Sequence, residues 1–117
     1  MRYVFCALFF VVFLCDSVRA EEAYESLIGY IYRNSNPQLA KEYHATAITQ
    51  WEFDKPKEAI ERYKMACNLG LGISCAMLGD IYKDGLKNTP QDLEKAKTFY
   101  ALACALGDTD SCDISIR

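Results

Sequence analysis

Four cysteines are the residues of this chain whose types and spacing most clearly indicate chemistry. They lie in two copies of one frame, "ACNLGLGISC" and "ACALGDTDSC", which begin thirty-seven residues apart. Each copy reads Ala-Cys, two residues, Gly, four residues, Cys. Cysteines in such an arrangement can form disulfides, ligate a metal or act as free thiols. The four positions are Cys67, Cys75, Cys104 and Cys112.

The N-terminus bears on which of these chemistries applies. "MRYVFCALFFVVFLCDSVRA" has a positive start, a continuous apolar run and small residues around Arg19, which is typical of a secretory signal. The run is too short and wrongly flanked for a membrane span. We therefore predict a signal peptide over residues 1–20, cleaved after Ala20, and a secreted or periplasmic domain over residues 21–117. Alternatives are a lipoprotein processed at Cys15 and a retained anchor.

Cleavage would change the balance of charges and cysteines. Removing Arg2, Arg19 and Asp16 leaves 11 basic and 15 acidic residues, a net charge of −4. This charge argues against nucleic acid and an anionic membrane surface as partners. Four cysteines remain, and an even count in a small exported chain indicates a disulfide framework with three connectivities.

An internal repeat accompanies the cysteine frame. Six residues recur at an offset of 37, and a fixed period in this range is typical of stacked supersecondary units. They are Ala59, Tyr63, Ala66, Cys67, Gly70 and Cys75, matched by Ala96, Tyr100, Ala103, Cys104, Gly107 and Cys112.

The repeated units have helical periodicity. "KEAIERYKMACNLG", "ISCAMLGDIYKDG" and "DLEKAKTFYALACALG" each place apolar or small residues on one helix face and end at a glycine. "PQLAKEYHATAITQWEFD" places residues 39, 43, 47 and 51 in a stripe, and residues 27, 28, 31 and 32 form a shorter one. About five helices in an all-α, helix-turn-helix solenoid are therefore predicted. Trp51 and Phe53 are expected in its core.

Two features resemble known repeat families. Tyr43, Ala47, Ala59 and Ala66 are spaced as in a tetratricopeptide unit. Gly79 and Ala96 are five residues further apart than Ala47 and Ala59, and the longer loop "KDGLKNTPQDLEK" resembles the Sel1-like variant. The stretch from "SCAMLGD" to "GDTDSC" is similar to the repeat of the Helicobacter cysteine-rich proteins.

That resemblance implies which cysteines are bonded. In those proteins the two cysteines of each frame pair, which here implies Cys67–Cys75 and Cys104–Cys112. The pairing suits an antiparallel helix turn, and each bond would stabilise the fold by about 2.5 kcal/mol. A metal site is disfavoured because the spacing is wrong for a ligand pair and the chain has one histidine, His44. No cofactor is expected.

The resemblance also implies a β-lactamase or penicillin-binding activity. A serine enzyme of that kind needs a Ser with a Lys three positions later. None of the serines after residue 20 has one: Ser26, Ser35, Ser74, Ser111 and Ser115. His44 is interpreted as a surface or packing residue, and no catalytic residue is assigned.

The leading prediction is therefore an interaction module. Stacked hairpins form a concave face from their first helices, which would hold a protein or peptide partner, for instance in the cell envelope. The alternatives are β-lactam chemistry and an inactive accessory protein. The candidate interaction residues are Glu42, Thr46, Thr49, Gln50, Asp80 and Lys83.

The end of the solenoid is predicted to be bare. After Cys112 only "DISIR" remains, which is too short for a closing helix. Phe99, Leu102 and Ala103 are then expected to form an exposed apolar patch. Such a patch favours weak homo-oligomerisation or docking onto a larger repeat protein.

Overall fold

The computed structural model of the chain describes residues 26–31 and 33–114. These residues belong to two compact units, and the second begins at Ile31. Residues 26–30 of the first unit are helical. In the second unit, Ile31 and Arg33 are helical as well. The predicted signal peptide and Tyr32 lie outside the described residues.

Four further α-helices build the second unit: α1 (Pro37–Glu52), α2 (Pro56–Asn68), α3 (Gly72–Asp84) and α4 (Leu93–Ala105). Short 3-10 helices span Leu86–Asn88 and Thr109–Asp113. α1 packs on α2, α3 packs on α4, and α2 and α3 join the two helical hairpins. No strand occurs within residues 33–114. The predicted all-α, helix-turn-helix repeat is confirmed.

Local sequence explains where the helices begin and end. The Asn36 side chain accepts a hydrogen bond from the Leu39 amide at 3.1 Å, and Asp92 accepts one from the Lys95 amide at 3.0 Å. Both are helix N-caps, and they satisfy amides that have no partner inside the helix. After α2 comes Gly70 at φ 101°, a backbone region that glycine enters without the steric cost of a Cβ.

Small residues let the helices approach closely. Ala47 of α1 and Ala59 and Ala66 of α2 are fully buried, as the periodicity predicted. In the second hairpin, a Cβ added to Gly79 would lie 2.6 Å from Cε1 of Tyr100. The Tyr100 ring therefore occupies space that only a glycine leaves open.

The predicted core position of Phe53 is wrong, because 74% of this residue is exposed. Phe53 follows the last turn of α1, and its amide donates to the Thr49 carbonyl at the turn into α2. Phe53 therefore lies beyond the part of α1 that packs against the other helices. Trp51, two residues earlier, is half-buried.

The predicted apolar patch at the end of the solenoid also needs correction. Leu102 is 3% exposed and Ala103 is fully buried, whereas Phe99 is half-buried and stacks on Tyr82 at 5.8 Å between ring centroids. The start of α3 covers Ala103, since a Cβ on Gly72 would lie 3.1 Å from the Ala103 carbonyl oxygen. The 3-10 helix Thr109–Asp113 packs on α4 as well. Thr109–Asp113 thus covers part of the α4 surface that was expected to be bare.

Candidate interaction surface

The six predicted interaction residues lie on the first helix of each hairpin. A hydrogen bond of 2.8 Å between Nδ1 of His44 in α1 and Oγ of Ser74 in α3 shows that these two helices are neighbours. The first helices therefore contribute to one surface, as a repeat solenoid requires. The structure separates the six residues into two groups: four on α1, and Asp80 and Lys83 on α3.

On α1, three of the predicted residues are exposed. The Thr46 hydroxyl donates to the Glu42 carbonyl oxygen at 2.9 Å, and the Thr49 hydroxyl donates to the Ala45 carbonyl oxygen at 3.1 Å. Their single donors are thus used within the helix, and the lone pairs remain available as acceptors. The Glu42 carboxylate accepts from Gln38 at 3.3 Å and is also exposed. This part of α1 therefore presents mainly hydrogen-bond acceptors.

Gln50 is not an open surface residue. It is half-buried, and its Oε1 atom is buried with no hydrogen-bond partner among the described residues. A buried amide oxygen without a partner is costly, so this side chain is constrained by its packing rather than presented to solvent.

On α3, Asp80 and Lys83 are both engaged by Tyr100 of α4. The Tyr100 hydroxyl donates to the Asp80 carboxylate, and the Lys83 ammonium lies 6.0 Å from the ring centroid. Burial, followed by the Asp80 hydrogen bond, raises the pKa of Tyr100 above its usual value. These two residues hold the second hairpin together, so they are less available to a partner than the α1 group.

Two isoleucines of the first helices are exposed. Ile48 of α1 is 39% exposed and Ile73 of α3 is 52% exposed. Single exposed aliphatic side chains are common on protein surfaces, so neither residue marks an interface by itself.

The junction between the hairpins contains a Ser–His pair. His44 bonds to Ser74 and meets the Tyr63 ring edge-on at 5.6 Å, while burial lowers the pKa of the imidazole. A serine hydroxyl bonded to a histidine is the arrangement of an activated nucleophile. Ser74, however, is fully buried, so no substrate can reach its oxygen. The pair has a packing role.

Lys87 is a connecting residue that sequence reasoning missed. It lies in the loop after α3, and its ammonium donates a hydrogen bond to the Trp51 carbonyl oxygen. The same ammonium lies 4.9 Å from the centroid of the Trp51 ring and 3.6 Å from the Asp54 carboxylate. Its φ of 48° is unusual for a residue with a side chain. The sequence indicated only a polar loop here, and no local pattern points to a contact thirty-six residues away.

A depression with a volume of about 420 Å³, the α2–α4 depression, lies along the first half of α4, beside Tyr82 of α3 and Lys64 of α2. Its walls mix both charges with the stacked aromatic pair. The lining residues are Lys64, Tyr82, Asp92, Glu94, Lys95, Thr98 and Phe99.

Both disulfides of the described residues join a second helix to the segment that follows it. Cys67–Cys75 links α2 to α3 with Cα atoms 4.9 Å apart, and Cys104–Cys112 links α4 to the last 3-10 helix with Cα atoms 4.8 Å apart. These are the pairs that the family resemblance implied.

Comparison with known families identifies the second hairpin. The Sel1 repeat family model matches residues 72–108, which comprise α3, the long loop and α4. The chain therefore contains a Sel1 repeat, a type of module through which proteins interact. No curated protein and no solved structure is significantly similar to the chain. The match names no reaction and gives the β-lactamase alternative no support. The narrower resemblance to the Helicobacter proteins stays a prediction.

Proposed function

We propose that this protein is an exported, disulfide-stabilised Sel1 repeat protein that binds a peptide or protein segment along its first helices. One observation carries the proposal: Glu42, Thr46 and Thr49 share one face of α1 and form an exposed row of hydrogen-bond acceptors. A matching segment brings hydrogen-bond donors to this row. Ile48 is exposed as well, on a different side of the helix from Thr46.

The neighbouring helix extends this surface. The His44–Ser74 hydrogen bond holds α3 beside α1, and α3 adds Ile73 with half of its surface exposed. A segment that extends from α1 onto α3 would also contact Ile73.

Export is proposed on two grounds. The chain begins with the features of a signal peptide over residues 1–20, which would leave residues 21–117 as the mature domain. Among the described residues the second unit has two disulfides, and such bonds persist in oxidising compartments. In the part of the chain that the structure describes, no helix has the length and apolar character needed to span a bilayer.

A displayed library of twelve-residue peptides, selected on the oxidised protein, tests the binding surface. Selected peptides should lose most of their affinity for Thr46→Arg, because a large cation replaces a small acceptor on α1. Binding is measured by titration calorimetry or fluorescence anisotropy on each purified variant.

Thr98→Arg is the matched control. Thr98 is exposed on α4 and donates to the Glu94 carbonyl oxygen at 3.0 Å, the same helical bond that Thr46 makes on α1. The two substitutions therefore perturb a helix equally. If Thr98→Arg abolishes binding and Thr46→Arg does not, the partner uses the α2–α4 depression and the proposal is wrong.

A further inference from the structure

The two disulfides differ in how much protein covers them. Cys67 is 1% exposed and Cys75 is fully buried. Cys104 is half-buried and Cys112 is exposed. Disulfide exchange requires a thiolate to approach one sulfur along the S–S axis, so access to a sulfur atom limits the rate.

The segments on either side of each bond differ as well. Cys67 and Cys75 lie in α2 and α3, two helices of thirteen residues that pack on each other. Cys112 lies in a 3-10 helix of five residues, Thr109–Asp113. This short helix is held by few backbone bonds, among them Asp108 to Ala103 at 2.9 Å and Ser111 to Asp108 at 3.1 Å. Short terminal helices open locally at low free-energy cost, whereas separating α2 from α3 disrupts the core.

We infer that Cys112 is a site of thiol–disulfide exchange, at which an external thiol opens the Cys104–Cys112 bond while Cys67–Cys75 stays closed. The incoming thiolate attacks Sγ of Cys112, forms a mixed disulfide there and expels Cys104 as a thiolate, which takes up a proton. A second external thiolate then attacks the mixed disulfide and releases Cys112 as a thiol. Two external thiols are oxidised to one disulfide, and the protein gains two thiols.

Charge around Cys112 selects among thiols. Three acidic residues, Asp108, Asp110 and Asp113, lie within four residues of this cysteine, against one basic residue, Arg117, at five. An approaching thiolate is itself negative, so a thiol that also carries a positive group meets less repulsion than one with a second negative group. The site therefore favours cationic over anionic thiols of the same size.

Opening this bond frees the end of the chain. Without the covalent link, the 3-10 helix is held only by its few hydrogen bonds and by the packing of Ser111, which is 4% exposed. When this 3-10 helix detaches, the last turn of α4 becomes exposed to solvent. The state of this disulfide thus controls whether the 3-10 helix Thr109–Asp113 covers the last turn of α4.

Graded reduction of the oxidised full chain tests the inference. The protein is treated with dithiothreitol, quenched with iodoacetamide at intervals, and the alkylated cysteines are located by peptide mass spectrometry. Cys104 and Cys112 should be alkylated at least about tenfold faster than Cys67 and Cys75, because only local opening is needed. In guanidinium chloride the two bonds should react at similar rates, since both span eight residues. Equal rates in the folded protein, or earlier opening of Cys67–Cys75, would overturn it.

Two further measurements sharpen the assignment. With cysteamine, the first adduct should be a mixed disulfide on Cys112, formed faster per thiolate than with mercaptoethanesulfonate. An adduct that appears first on Cys104 contradicts the proposed point of attack. Hydrogen exchange of the Asp108 and Ser111 amides should speed up after selective reduction, and unchanged protection of both would show that the bond does not hold the end closed.

Discussion

The two cysteine frames share six of their ten residues, including both cysteines, yet they have different surroundings. The first leads into α3, thirteen residues of packed helix, and both of its cysteines are buried. The second leads into a five-residue 3-10 helix, and its last cysteine is exposed. The loop length is the same and the Cα separations are nearly equal, so the main difference between the two bonds lies in what packs over each of them. A repeated motif fixes where a disulfide forms, and the next element decides how well it is protected.

Removing each disulfide should therefore have unequal effects. The chain-entropy contribution is about 2.5 kcal/mol for each, because both loops have the same length. Cys67→Ala/Cys75→Ala also leaves a cavity in the core, so we expect a loss of about 4 kcal/mol, against about 2.5 kcal/mol for Cys104→Ala/Cys112→Ala. Urea unfolding followed by circular dichroism measures both. Equal losses would mean that burial adds nothing to the covalent constraint.

The two hairpins also differ at the point where their helices approach most closely. Ala47 precedes Ala59 by twelve residues, and Gly79 precedes Ala96 by seventeen across the longer loop, so Ala47 and Gly79 are equivalent. Gly79→Ala should destabilise the protein by about 2–3 kcal/mol, because the new methyl group overlaps the Tyr100 ring.

The reciprocal change in the first hairpin is the control. Ala47→Gly should cost about 1.5–2 kcal/mol, from the difference in helix propensity and from the loss of a buried methyl group. Thermal unfolding of the two variants gives the comparison. A Gly79→Ala variant as stable as the parent would show that Tyr100 moves aside at no cost, and that the close approach does not require glycine.

The Lys87 contact is the next largest expected effect. Lys87→Ala removes the contacts with Trp51 and Asp54 but keeps a side chain at φ 48°. Lys87→Gly removes the same contacts and relieves the backbone. The alanine variant should be less stable than the glycine variant by about 1 kcal/mol. The reverse order in chemical denaturation would indicate that the backbone is relaxed at this residue.

The smallest expected effect is a pH dependence of stability that comes from His44, at the junction between the two hairpins. Burial lowers the pKa of His44 in the folded state below its ordinary value of 6.5. The unfolded chain then binds a proton at a pH where the folded protein does not, so stability rises with pH in that range. The melting temperature should fall as the pH drops through 6.5, and His44→Gln should reduce this fall. An identical pH profile for both proteins would assign the dependence to other groups.

Much of the fold could be predicted because it follows from local patterns. Alanines at helical spacing mark the inner faces, and Pro37 and Pro56 each stand at the first position of a helix. The periodicity placed Tyr63 and Tyr100 correctly in the core. These features are set within one turn or one repeat, where sequence spacing translates directly into position.

The errors concern contacts between distant segments. Phe53 was expected inside because it is aromatic, yet the turn after α1 carries it outward. Leu102 and Ala103 were expected outside, since "DISIR" was judged too short to cover them. Asp80 and Lys83 stay predicted interaction residues, although Tyr100 engages both, which the sequence did not indicate. Which polar group meets which aromatic ring depends on tertiary packing that spacing does not encode.

The contact between Lys87 and α1 has a consequence for how the protein unfolds. In an ideal solenoid each repeat adds its own stability, and one repeat can melt while its neighbour remains folded. Here a side chain from the loop of the second hairpin binds the carbonyl end of the first helix in the preceding hairpin. Melting either hairpin therefore breaks an interaction that the other one uses. The two hairpins therefore unfold as one cooperative unit. A repeat excised at residues 72–108 would lose the stabilisation that the Lys87 contact gives.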